Sequence, residues 1–157
     1  MRFTLSTAAL GLLVLTLPTA QAQDWNLDPT YGSVNLEEGF LPDPHNIELT
    51  AGGSVGVDIG ECSYGNVANA PDVDLYYDTG GGANLYIYAV SGNDTTILVN
   101  TPSGTWMCDD DSYGEGDPMV VIPAAEAGLY NIWVGTYGED TAAANLYISE
   151  VDPRSRD

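Results

Sequence analysis

The chain has 157 residues, of which 23 are acidic, three are arginine, one is histidine and none is lysine, giving a formal charge of −20 at pH 7. A surface this acidic repels nucleic acid and anionic lipid, which excludes both as partners. It favours divalent metal, polycationic proteins or saline surroundings.

Arg2, an apolar run from Ala8 to Leu17, Pro18 and the small-residue pattern Ala20-Gln21-Ala22 follow one another as the charged, apolar and cleavage regions of a secretory leader, residues 1–22, cut before Gln23. The expected product is exported, secreted or periplasmic. The run is shorter than the roughly 20 apolar residues a bilayer span requires, so no membrane association is expected after the leader is removed. The first cysteine, Cys62, lies far beyond the leader, which argues against a lipid anchor. Without Arg2, two arginines face 23 acidic residues, a formal charge of −21.

The remaining length of about 135 residues suits one domain with a single core. Residues 23–44, with Pro29, Pro42 and Pro44, read as a leader segment lying across that domain, and 152–157 as a flexible tail. Between them, Gly, Pro, Asn and Asp interrupt the apolar pattern every eight to twelve residues or so, the spacing of an all-β sandwich or barrel. Strands are predicted at 32–36, 46–50, 54–59, 74–77, 83–90, 96–100, 105–108, 119–122, 128–135 and 144–150. In 83–90, Leu85, Ile87 and Ala89 share one face and Tyr86, Tyr88 and Val90 the other, so this strand is expected at the centre of its sheet. In 128–135, Tyr130, Ile132 and Val134 oppose Asn131 and Trp133. The single helical candidate is one turn at 124–127. The fold class is therefore an antiparallel β-sandwich, jelly-roll-like, of about eight to ten short strands.

Two cysteines in an exported chain predict one disulfide, Cys62–Cys108. A soft-metal site is disfavoured because the lone histidine, His45, has no CxxC or HxxH context.

The blocks DTTILVNTPSGTWMCDDDS at 94–112 and GLYNIWVGTY at 128–137 resemble the bacterial pre-peptidase C-terminal domain family. Asp94, Thr95, Pro102, Gly104, Asp109 to Asp111, Gly128, Tyr130, Ile132 and Val134 carry the resemblance, and NAPDVDLYYD at 69–78 looks like that family's opening core strand. The similarity covers roughly 45–151 and implies a small β-sandwich module of the kind appended to secreted proteases. No peptidase domain accompanies it here, so the resemblance implies an autonomous binding role.

The acidic knot CDDDSYGEGD at 108–117 concentrates carboxylates where a strand ends. Asp109, Asp110, Asp111, Glu115 and Asp117, with Gly114 and Gly116 to bend the chain, supply hard oxygens of the type calcium takes in sets of roughly six to eight. The loop is not an EF-hand: counted from Asp109, its fifth position is Tyr113 and its twelfth Val120. A calcium site would recruit a distant carboxylate, Asp94 or Asp140; the other reading is a hydrated acidic turn. Trp106, Tyr113 and Tyr137 lie near this loop in sequence and are the expected partner-binding rings. Catalysis is not expected. His45 lacks a nucleophile elbow, and a sandwich of this size leaves little room for a glycosidase cleft. Two function classes lead, a non-catalytic module recognising a protein or polysaccharide and an acidic inhibitor of a cationic protein such as a lysozyme, ahead of a third, a carboxylate-dependent hydrolase.

Overall fold

The computed structural model describes residues 23–138 and 140–155; the expected secretory leader at 1–22 lies outside the described residues, as do Glu139 and residues 156–157. Eleven strands are present among the described residues: β1 (Ser33–Glu37), β2 (His45–Ala51), β3 (Val55–Gly56), β4 (Asn66–Val67), β5 (Val73–Asp78), β6 (Leu85–Ser91), β7 (Thr95–Asn100), β8 (Trp106–Asp109), β9 (Met119–Ile122), β10 (Gly128–Thr136) and β11 (Ala142–Ser149). They form two sheets, one of seven strands and one of four in the order β2-β11-β6-β9. In the larger sheet β10 is the hub. Its first half pairs with β5, its second half pairs with β7 along the other edge, and its last residue, Thr136, meets Asn66 of β4.

Alternation explains the layering. Tyr130, Ile132 and Val134 of β10, with Leu75 and Tyr77 of β5 and Ile97 and Val99 of β7, point into the core. There they meet Leu85, Ile87 and Ala89 of β6 and Leu146 and Ile148 of β11 from the four-stranded sheet. Strand β6 lies between β9 and β11, the central position its two apolar faces predict. Its second face is covered by aromatic rings: Tyr88 stacks on Tyr147 with centroids 5.0 Å apart.

Four features depart from the expected elements. The strand expected at 32–36 forms as β1, but it pairs with β5 in parallel where an antiparallel sandwich was expected. The strand expected at 54–59 shortens to Val55–Gly56, because the chain then folds back through an Ile59–Cys62 bridge and returns as the unforeseen β4. That flap covers the outer face of the large sheet, burying Leu98 and Trp133 beneath Val57, Cys62 and Val67. Residues 124–127 make a turn, with Ala124 at a φ of 46° that no helix accepts. In the tail, Pro153–Ser155 form a 3-10 turn in which Pro153 is buried.

The disulfide is Cys62–Cys108, with Cα atoms 5.8 Å apart. It fastens the flap to β8, one residue before the acidic loop.

Candidate functional site

Antiparallel pairing places the acidic segments together. Strand β7 begins at Thr95 while β8 and β10 end beside it, so Asp94, the loop after Asp109 and Tyr137 gather at one pole of the sandwich. The Thr95 amide donates to the Gly116 carbonyl at 2.9 Å, and the Tyr137 amide donates to the Asp94 carbonyl at 3.1 Å. Gly116 is required at this crossing: its φ is 78°, and a Cβ there would sit 3.3 Å from the Asp94 Cα.

The carboxylates shape the loop by accepting amide hydrogens. Asp109 accepts from the Ser112 amide and hydroxyl and, at 2.8 Å, from the Met119 amide. Asp111 accepts from the Gly116 amide at 3.1 Å, and Asp117 reaches out of the loop to the Ser91 amide at 3.0 Å. Partial burial, then the charges of Asp111, Asp109 and Asp94, hold the Asp110 carboxyl above the usual carboxylate range. Asp94, one of the two distant carboxylates named from sequence, is therefore within electrostatic reach of the knot. Tyr64, carried in by the disulfide-tied flap, joins them; burial and then Asp110 and Asp109 push its hydroxyl up. Among the described residues no three His, Cys, Asp or Glu side chains converge tightly enough to hold one ion. As it stands, the pole is a negative surface built on carboxylate–amide bonds.

The three expected partner-binding rings do not gather. Tyr137 is exposed at the acidic pole. Tyr113 is half-buried there, its ring 4.7 Å from that of Tyr88. Trp106 opposes Asn100, at the far end of β7 from Thr95. It packs against buried Trp133 at 5.5 Å and edge-on against Trp25 at 6.0 Å. The signal that could have found Trp25 was its position, two residues into the expected mature chain; its pairing with Trp106 is a tertiary fact.

Among the described residues, His45 and the cysteines are not assembled with a nucleophile or base. His45 opens β2 opposite Ile148. Neighbouring Ser149 is fully buried, with its hydroxyl against the Asp43 carboxylate and the Val151 carbonyl, where no substrate reaches it. Both cysteines are spent in the disulfide.

The most perturbed carboxyl is one that sequence reading passed over. Between the stretches of β10 paired with β5 and with β4, the Val134 amide faces no strand, and the Asp72 carboxylate accepts it at 2.7 Å. Burial drives the Asp72 pKa up to about 7, the hydrogen bond from Val134 opposing the rise. Beside it, Asn131 donates to Asp74 at 2.8 Å, and burial raises that carboxyl as well. Asp72 is 2% exposed, so its perturbation serves the sheet and not a cleft.

No family model matches the chain, and no curated protein matches it. Among solved structures the chain is similar to the pre-peptidase C-terminal domain of a collagenase from Bacillus anthracis, with 13% identity over 78% of this chain and 100% of that one and a TM-score of 0.44. It is also similar to a periplasmic inhibitor of g-type lysozyme from Aeromonas hydrophila, with 14% identity over 78% of this chain and 98% of that one and a TM-score of 0.39. The first belongs to the family that the blocks at 94–112 and 128–137 resemble.

Proposed function

We propose that this chain is an exported, non-catalytic binding module whose acidic pole docks a cationic protein. The observation that supports this most directly is the charge distribution. The charges of Asp111, Asp109 and Asp94 all bear on Asp110 at a single pole. The only Arg or Lys among the described residues, Arg154, is tied up with Asp152 in a bond of 2.9 Å. An unneutralised field of this kind raises encounter rates with a positively charged partner and rejects anionic ones. Tyr137 and Tyr64, aromatic with a polar tip, flank the pole and suit a wet protein interface. Export is supported by the leader pattern at 1–22 and by a disulfide of the kind that persists in oxidising compartments.

A lysozyme, small and cationic, is the first partner to test. Binding to immobilised lysozyme should weaken at least about tenfold between roughly 50 and 300 mM salt, because the Debye length shortens over that range. The double variant Asp94→Asn, Asp110→Asn should weaken it further at low salt. Indifference to salt and to the double variant would remove the electrostatic reading. Calcium belongs to the same proposal as a competing ligand: the loop carboxylates do not converge on one point as they stand, and would have to close on the ion together with loop carbonyls and water.

A further inference from the structure

The outer face of the seven-stranded sheet holds a second kind of surface. An open depression of about 510 Å³ lies between the Trp25–Trp106 pair and the Pro102–Gly104 turn. None of its lining residues carries a charge, on a protein with 23 acidic residues. Two carboxamides belong to that lining: Asn131 lies opposite Asn100 across β10 and β7, and Asn100 lies opposite Trp106 across β7 and β8. They are 2% and 8% exposed, respectively, so each is held within the sheet while still bordering the depression. The bond from Asn131 to Asp74 fixes that carboxamide in one orientation. Trp25, in contrast, is 50% exposed.

A ligand suited to this lining presents a flat apolar face to an indole and a rim of paired donors and acceptors to carboxamides, which both donate and accept. A pyranose ring has both. Anionic sugars are repelled by the net charge, and a cationic ligand is drawn to the acidic pole in preference to a patch whose neighbouring carboxylate, Asp74, is buried and bonded to Asn131. Proline-rich peptides also use aromatic-lined grooves, but proline has no N–H to offer the carboxamide oxygens of this lining. On the same face, Tyr76 opposes Leu129 of the lining and is 46% exposed, which offers a second ring beyond the first.

The geometry points to a binding site for an uncharged polysaccharide, with Trp25 stacking on a sugar ring and Trp106 walling its side, Asn100 and Asn131 reading its hydroxyls, and Tyr76 receiving a further unit. This site is separate from the acidic pole and does not depend on the partner proposed there.

The test is titration of the purified protein with neutral hexasaccharides of β-1,4-glucose, α-1,4-glucose, xylose, mannose and N-acetylglucosamine, followed by tryptophan emission and calorimetry. At least one should bind with a change in emission, and its affinity should move less than about twofold between roughly 50 and 500 mM NaCl. Trp25→Ala and Asn100→Ala should each weaken it by about tenfold or more. Trp25→Ala should leave the melting temperature within a few degrees, since half of that ring is already in water. The inference is overturned if none of the five binds at millimolar concentration. It is equally overturned if binding survives both substitutions, or if a decaproline peptide binds in preference to every sugar.

Discussion

The Asp72 carboxylate makes a quantitative test of how the large sheet is joined. Its folded pKa is raised to about 7 from an ordinary 3.8, with burial as the main cause. A carboxyl raised on folding holds its proton longer in the folded state than in the unfolded one. Between about pH 4 and pH 7 the folded protein therefore binds more protons, and stability must fall as pH rises through that window. At about 1.4 kcal/mol per pKa unit, a rise of this size corresponds to about 4 kcal/mol lost between the ends of the window, a large share of the roughly 5–15 kcal/mol that holds a typical domain together. Asp72→Asn keeps the shape and can keep an oxygen facing the Val134 amide, 2.7 Å away in the native protein, but it never ionises. Urea unfolding of both proteins at about pH 4 and pH 8 separates this group from the other acids, because only the difference between the two proteins is read. The variant should gain on the native protein by about 2–4 kcal/mol on going from the lower to the higher pH. Asp74 is raised in the same direction and leaves a residual slope in both. If the gap between variant and native protein is the same at the two pH values, Asp72 is not a buried, proton-holding group, and the account of the joint between β5, β4 and β10 is wrong.

Two further outcomes are expected. Replacing both cysteines with alanine should lower stability by about 4 kcal/mol on the chain-entropy argument for the loop between Cys62 and Cys108, and hydrogen exchange should show β3 and β4 opening first; uniform loss of protection across both sheets would mean that the flap is not an independently fastened unit. Calcium in the range of roughly 0.1–1 mM should raise the melting temperature, with Asp110→Asn abolishing the rise; a melting temperature that follows ionic strength alone would leave the acidic loop as a hydrated turn.

The strands were legible because their cores alternate. Leu85, Ile87 and Ala89, or Tyr130, Ile132 and Val134, repeat with period two and each set faces the core. The disulfide followed from compartment chemistry and an even cysteine count. What sequence could not yield was set by partners distant in the chain. The two-residue strands β3 and β4 exist because Leu98 and Trp133 on the outer face need covering, a tertiary requirement that the alternation along β10 does not disclose. The parallel pairing of β1 with β5 leaves no local trace, since a strand's periodicity is the same whichever way its neighbour runs. Asp94 could be anticipated at the acidic loop because an antiparallel hairpin returns its ends to one pole. Asp72 could not, because its role depends on a gap between two strands that both leave β10.

The arrangement of the two proposed surfaces has a consequence for how they would work together. The acidic pole sits at the Thr95 end of β7 and the uncharged depression at the Asn100 end. Six residues of extended chain span about 17 Å. That is about twice the Debye length of roughly 8 Å at physiological ionic strength, so charge at the pole is largely screened before it reaches the depression. A cationic protein docked on Asp110 would therefore change sugar affinity little through electrostatics. A measurable coupling would have to travel through the strands that join the two ends: β7, whose six residues are all buried and whose two edges are paired, and its partners β8 and β10. Saturating the protein with a cationic partner should leave the affinity for a bound hexasaccharide within about twofold, a coupling below roughly 0.5 kcal/mol. A larger shift, surviving at about 500 mM NaCl, would mean that these strands have two arrangements and that the poles communicate through the packed sheet.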